Sequence, residues 1–415
     1  MSQTLPAAMF TRLLSAAALL FSVSAFSQND ISSKENKFYK MSDVPIPDSV
    51  VLEVGGLAFT EDDRLGVATR RGEIWVIDDP YQKKSTQPKY TLFASGLHEP
   101  LWLAYRKGSF YTTQRSELTK ITDTNKDGIA DKYSTVYSWP ISGNYHEYSY
   151  GPLFLPNGDM LVTLNLSWVG RGESLTKWRG WMLKITEDGK MTPFATGMRS
   201  PAAFGLNQQK DIFLAENQGD WIGSGRITHL TEGDFAGHPA GLKWSDEPGS
   251  TVHLKRLSFP DSVGIMYHYA QDKPHFKLPA IWFPHTVMGI STSAILSMDS
   301  DDFGPFKGQL LVGDQGHSKI MRAHLEKVNG QYQGACFPFR EGFSSGILRM
   351  AWGRDQSLFV GMTSRGWAST GNALYGLQRL DWTKQVPMEI RSMHITTTGF
   401  ELEFTKPLDR QEAAN

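Results

Sequence analysis

His146 and Glu147 stand side by side in the stretch NYHEYSYGPLFLPNGDMLVTLN, Asn144 to Asn165, with three tyrosines around them. A neutral imidazole beside a carboxylate can take a proton from an alcohol, as a general base does; the alternative is a histidine satisfied by its own loop. Arg199 lies in GMRSPAAFGL. A guanidinium there can hold carboxylates or stabilise an anion, or it can pair with an acid on a neighbouring unit. Two other stretches carry oxygen donors. In DTNKDGIAD, Asp123, Asn125, Asp127 and Asp131 fall at positions one, three, five and nine, Gly128 permits a sharp turn and Ile129 offers a carbonyl. That is the spacing of a calcium loop, although the twelfth position is Ser134 rather than Glu. The second is ENQGD, Glu216 to Asp220, which reads either as a metal-facing loop or as a polar loop making its own hydrogen bonds.

These residues need elements to hold them. Around His146 the order is polar cluster, apolar run (Gly151 to Leu155), Pro-Asn-Gly-Asp turn, second apolar run (Met160 to Leu164), which is a hairpin. The turn brings Asn165 back to the edge that carries His146. The same grammar recurs from Gly55, Glu99, Tyr150, Ser200, Ser291 and Gly346, mostly about 45 to 55 residues apart, which is the period of four-stranded propeller blades. An all-β six-bladed propeller over residues 54–382 follows, with an insertion at 232–290 between units four and five. Residues 28–53 read as a linker or strap, and 383–415 as a short β extension.

In such a ring, the loop entering each inner strand and the loop joining strands two and three open on one face. That rule gathers Arg70, His98, Glu99, Arg115, His146, Arg199, Glu216, Asp314, Gln315, Lys319 and Arg365 on one rim, with Arg349 nearby. The other rim receives plain turns such as PNGD and GRDQS. Polar groups converging in an aromatic-walled mouth are suited to a ligand. His238 and His285, in the insertion and its exit, line a lid or simply pack there.

Bulk properties exclude several classes. With 42 Lys+Arg against 43 Asp+Glu, no field favours nucleic acid or an anionic membrane. Arg12, the apolar run Leu13 to Phe21 and small residues up to Ala25 and Ser27 are laid out like a signal peptide, residues 1–27, cleaved on secretion; no segment reads as a membrane anchor. Cys336 is the single cysteine, so an internal disulfide and a covalent c-type haem are excluded, and the thiol is expected to be buried.

The series HEYSYGPLFLPNGDMLVT, GMRSPAAFGL, DIFLAENQGD and GQLLVGDQGHSKIMR resembles the soluble glucose/sorbosone (aldose sugar) dehydrogenase superfamily, closest to a poorly characterised periplasmic branch. The resemblance spans roughly Val54 to Leu380. It implies a six-bladed propeller that binds pyrroloquinoline quinone and calcium and oxidises a sugar or polyol hydroxyl in the periplasm, with an electron acceptor such as a cytochrome or a quinone. By motif, His146 resembles the catalytic base and Arg199 the arginine that binds the quinone and polarises its carbonyl. Gln218 lies in the loop Glu216 to Asp220, which resembles the region supplying calcium ligands. Lys319 resembles a lysine set against the quinone carboxylates. The family's paired arginines align with Gly346 and Leu348, leaving Arg349 one position away. Two other readings stay open: a non-catalytic propeller that binds carbohydrate or a protein, and a calcium-dependent lactonase, because fold does not choose among them.

Overall fold

The computed structural model describes residues 34–259 and 265–409; the signal-peptide expectation lies outside them. The recurring units fold into six four-stranded antiparallel sheets arranged as a propeller. Blade one is β2 (Val54–Phe59), β3 (Leu65–Thr69), β4 (Ile74–Asp78) and β5 (Lys89–Ala94). Blade two is β6 (Ala104–Arg106), β7 (Ser109–Thr113), β8 (Glu117–Thr122) and β9 (Lys132–Ser138). Blade three is β10 (Ser149–Phe154), β11 (Met160–Leu164), β12 (Trp181–Ile185) and β13 (Met191–Thr196). Blade four has β14 (Ala203–Leu206), β15 (Ile212–Glu216) and β16 (Arg226–Leu230), completed by β17 (Ile281–Trp282). Blade five is β18 (Thr292–Ser297), β19 (Leu310–Asp314), β20 (Lys319–Val328) and β21 (Gln331–Arg340). Blade six has β22 (Ile347–Trp352), β23 (Leu358–Thr363) and β24 (Tyr375–Trp382), with β1 (Tyr39–Asp43) outermost.

The second strands β3, β11 and β19 are buried at every position. Each is covered on both faces by neighbouring blades, which is why these strands read as continuous apolar runs rather than alternating ones. The turn at Asn157 shows how the hairpins are closed. Gly158 has φ +96°, and the Asn157 side chain accepts the Asp159 amide at 3.1 Å. A left-handed backbone suits glycine, and the amide side chain replaces a backbone partner.

Ring closure comes from the N-terminal stretch. β1 pairs antiparallel with β24 from Tyr39↔Trp382 to Asp43↔Gln378, so a segment read as a linker supplies the last blade's outer strand. The buried guanidinium of Arg340 ties the same segment down through Glu35 at 2.6 Å and Asn36 at 2.9 Å.

The insertion runs between the third and fourth strands of blade four and crosses to blade three. Phe235 bridges Thr196 and Phe276, and the Trp181 indole donates to the Gly241 carbonyl at 2.7 Å. Phe235, Leu242, Phe259 and Phe276 pack with Trp178 and Trp181 in one core. Past blade six, β25 (Ile390–Ile395) and β26 (Phe400–Phe404) form a separate hairpin docked on β20 through His394–Glu326 and Arg322–Glu389. Cys336 is only half-buried, against the Trp282 carbonyl, because β21 is an outer strand. No helix among the described residues is long and apolar enough to cross a membrane.

Candidate active site

Loops from all six blades converge on one face around a cavity of about 370 Å³. Blade one contributes Arg70, blade two Leu101 and blade three His146, Tyr148, Asn165 and Trp168. Blade four adds Arg199, Ser200 and Gln218, blade five Thr292 and Gln315, and blade six Trp367. The antiparallel hairpins dictate this convergence: every second-to-third-strand loop must open at the end where the first strand is entered.

His146 is placed by the loop before β10. Its amide donates to Asn144 Oδ1 at 3.0 Å, and the same oxygen accepts the Trp168 amide at 3.1 Å, pinning two loops together. The imidazole Nδ1 lies 3.0 Å from the Leu166 carbonyl. A carbonyl can only accept, so Nδ1 carries the hydrogen and Nε2 carries the lone pair. Among the described residues Nε2 has no partner. Burial lowers the His146 pKa, the bond to Leu166 opposes this, and the nearby Arg199 and Arg115 charges lower it further. At neutral pH the ring is an unprotonated base on the cavity wall.

Glu147 points away from that ring. It is fully buried and accepts from the Ser142 amide at 2.7 Å, the Ser142 hydroxyl at 2.8 Å and the Ser167 hydroxyl at 2.6 Å. It shapes the loop and does not touch the imidazole.

Arg199 also lines the cavity. Its Nε bonds Asp220 at 3.0 Å, and its guanidinium lies 5.1 Å from the Trp168 ring centre. Among the described residues its two terminal nitrogens have no hydrogen-bond partner, so they can meet an anionic or carbonyl group. Glu216 holds Arg199 from below: one oxygen accepts the Arg199 and Ser200 amides, both at 2.7 Å, and the other accepts from buried Arg226. Gly219 is where Arg199 passes: a Cβ there would lie 2.6 Å from its Cδ. Tyr148 is flanked by Arg115 at 4.3 Å and Arg70 at 5.3 Å, a cation–π pair. Glu99 bridges the same two guanidiniums. Burial would raise the Glu99 pKa, but the two cations overcome it and hold the carboxylate below its usual range.

Three oxygens of cavity-lining residues are buried without any partner in the protein: Asn165 Oδ1, Ser200 Oγ and Thr292 Oγ1. A buried unpaired oxygen is costly, so such atoms call for water or a hydroxyl-bearing ligand.

The other expected site residues lie elsewhere. Lys319 donates to the Val287 carbonyl at 2.6 Å with Glu341 at 3.6 Å, and does not line the cavity. Arg349 is buried on the axis below it. Its guanidinium donates to the carbonyls of Leu101, Ala202, Ser293 and Leu348, joining blades two, four, five and six, and stacks 4.5 Å from the Trp102 ring centre. The 123–131 loop joins β8 to β9, which puts it at the opposite face. Its side chains turn onto their own backbone: Asp123 accepts Lys126 and Gly128 amides, Asn125 that of Asp127, Asp127 that of Ile129, and Asp131 that of Thr124. Ile129 is exposed. Among the described residues no three His, Cys, Asp or Glu side chains converge as a metal would require. Glu216 and Asp220 are paired with Arg226 and Arg199, and the 216–220 loop does not gather a carboxylate cluster for calcium.

For the quinone, Arg199 is the one cation of the expected three that reaches the cavity; Gln218 adds an amide and Trp168 and Tyr148 add flat walls. These residues fit a planar acceptor with an anionic edge. Trp168, Thr292 and Trp367 were not among the expected site residues. The only sequence signal for the two tryptophans is a large aromatic directly after a strand, in LNLSW and SRGW.

No family profile and no curated protein matches the chain, but solved structures do. The fold they share with this chain is the six-bladed propeller. The PQQ-bound aldose sugar dehydrogenase of Streptomyces coelicolor superposes with a TM-score of 0.58 at 15% identity, covering 83% of this chain and 98% of that one. The apo soluble aldose sugar dehydrogenase of Escherichia coli gives 0.56 at 14% identity, covering 83% and 99%. A luciferin-regenerating enzyme gives 0.50 at 12% identity, covering 83% and 95%. At these identities the likeness shows the fold, and the fold is the one the sequence resemblance implies.

Proposed function

We propose that the cavity is the active site of a secreted, periplasmic dehydrogenase that oxidises a hydroxyl of a sugar or polyol, with pyrroloquinoline quinone as acceptor. The observation that carries this reading is His146: an unprotonated imidazole, held by Leu166 so that Nε2 faces a cavity whose walls carry three unpaired oxygens. The substrate hydroxyl gives its proton to Nε2, while Asn165, Ser200 and Thr292 orient neighbouring hydroxyls. Loss of hydride from the adjacent carbon completes the oxidation to a carbonyl. When bound, the quinone supplies the hydride acceptor; Arg199 and Gln218 would hold it, and a cytochrome or a quinone would take the electrons onward. No step involves calcium.

The test is titration of the purified protein with pyrroloquinoline quinone, with and without calcium, followed by dye reduction across aldoses and polyols. No spectral change and no dye reduction would sink the reading. A non-catalytic carbohydrate-binding propeller is favoured by one observation, that of the three expected cations only Arg199 reaches the cavity. It predicts saccharide binding that survives His146→Ala and no turnover.

A further inference from the structure

Trp367 closes one side of the cavity and is 46% exposed. It comes from the β23–β24 loop of blade six. Blade three lies across the ring, and there Tyr145 is 63% and Trp168 46% exposed on the same mouth. The mouth is thus flanked on opposite sides by aromatic faces.

On its far side Trp367 borders a second, shallower depression. Gly366 and Trp367 line both, and the remaining wall is Ser364, Ala368, Ser369, Gly371, Asn372 and Ala373. This wall carries no charge. Asn372 is exposed, and its side chain has no hydrogen-bond partner among the described residues. The loop itself is well anchored: the Thr370 hydroxyl donates to the His317 carbonyl at 2.7 Å, the Gly371 amide to Ser318 Oγ at 3.0 Å and the Ala373 amide to the Ser344 carbonyl at 2.8 Å. A rigid, uncharged, hydroxyl- and amide-bearing shelf beside an exposed indole matches the two surfaces of a neutral sugar ring: an apolar face of C–H groups and an equator of hydroxyls.

We infer that residues 364–373 form an accessory subsite for a second sugar ring stacked on Trp367, so that the ligand is the end of a neutral oligosaccharide rather than a free monosaccharide. This rests on reading the cavity as a saccharide site. The lining residues of the shelf carry no cation, and the loop's one charge, Arg365, is paired with Glu53 at 2.8 Å, so a charged glycan is disfavoured.

The experiment is calorimetric binding to the full chain, which needs no turnover. The probes are glucose, then the β-1,4 and α-1,4 glucose disaccharides and trisaccharides, with a glucuronate-containing trisaccharide as the charged control. In at least one linkage series, affinity should rise at least fivefold from monosaccharide to trisaccharide. Trp367→Ala should abolish that gain, Trp367→Phe should keep most of it, and Asn372→Ala should reduce it. Unchanged melting temperatures establish that the variants fold. Monosaccharide and trisaccharide binding equally well, or a gain that survives Trp367→Ala, overturns the subsite and leaves the dehydrogenase reading standing. Binding of no saccharide at all overturns the subsite, and dye reduction with polyols then decides whether the dehydrogenase reading stands. Tighter binding of the charged control overturns the assignment to neutral glycans.

Discussion

Replacing Arg349 by Met keeps most of the side-chain volume and removes the guanidinium that sits on the propeller axis. In the wild type that group is buried, 4% exposed, and serves four backbone carbonyls on four blades. Burial pulls its pKa down to about 9, still above neutrality, so the bonds are made by a charged donor. Each buried acceptor left without a donor costs about 1 to 3 kcal/mol. Relief from burying a charge returns part of this, leaving a net loss of roughly 3 to 5 kcal/mol. For a domain of this size, with an unfolding entropy of about 2.1 cal/mol/K per residue, that corresponds to a fall in melting temperature of roughly 4 to 6 °C. Differential scanning calorimetry, or far-UV circular dichroism followed on heating, measures it. A melting temperature within about 2 °C of the wild type would refute the reasoning and would mean that water replaces the guanidinium at no cost.

His146→Asn should lower kcat by about 10²- to 10⁴-fold, the usual worth of a general base, with KM changed far less; steady-state kinetics on the holoenzyme checks it. The wild-type rate should be flat above neutrality and fall on acidification through a pKa below 6.5, because burial and then the neighbouring guanidiniums lower that of His146; a break above 6.5 would contradict the assignment. Asn144→Ala removes the oxygen that pins the His146 and Trp168 amides. It should cut kcat and shift the acid limb of the pH profile, while an Asp at that position, which keeps the acceptor, restores most of the rate. His238 is buried as the neutral ring, its Nε2–H donating to the Arg171 carbonyl and its Nδ1 accepting the Ala240 amide, with its pKa pushed down by burial to about 4. A histidine with a depressed folded pKa contributes stability above pH 6.5 that is lost as pH falls toward 4, here about 3 kcal/mol. Denaturant titrations between pH 7 and 4 should show that loss, and His238→Gln should show a flatter dependence.

The blades were legible because strands and turns are local. Alternation, the Asn157–Gly158 turn and the roughly 50-residue recurrence each act within one stretch of chain, and together they define the propeller and the face on which its polar loops gather. His146 and Arg199 were legible for the same reason, since their loops precede inner strands and must open into the mouth. The closing strand β1 was less so: YKMSD has no apolar run of its own and becomes a strand only because β24 presents an unpaired edge at the end of the ring. The insertion likewise looked like a separate piece between units, because nothing local shows that Ile281 and Trp282 complete blade four.

What the sequence determined by itself is therefore the period, the face and the histidine that the proposed function casts as its base. Only the tertiary structure decided which charges are available to chemistry. Lys319 and Arg349 are cations beside the mouth by sequence position, yet register and ring closure deliver them to carbonyls of Val287 and of four different blades. Glu147 and Glu216 are carboxylates next to the expected base and arginine, yet their oxygens are used by serines, amides and Arg226. Conversely, Ser200 and Thr292, unremarkable in the sequence, and Asn165, which the hairpin turn placed beside His146 without assigning it a role, are left with unpaired buried oxygens. The physical reason is that a polar side chain's role depends on which partners come within hydrogen-bond reach. Inside a closed ring those partners can come from distant segments, as Leu101 does for Arg349 from 248 residues away.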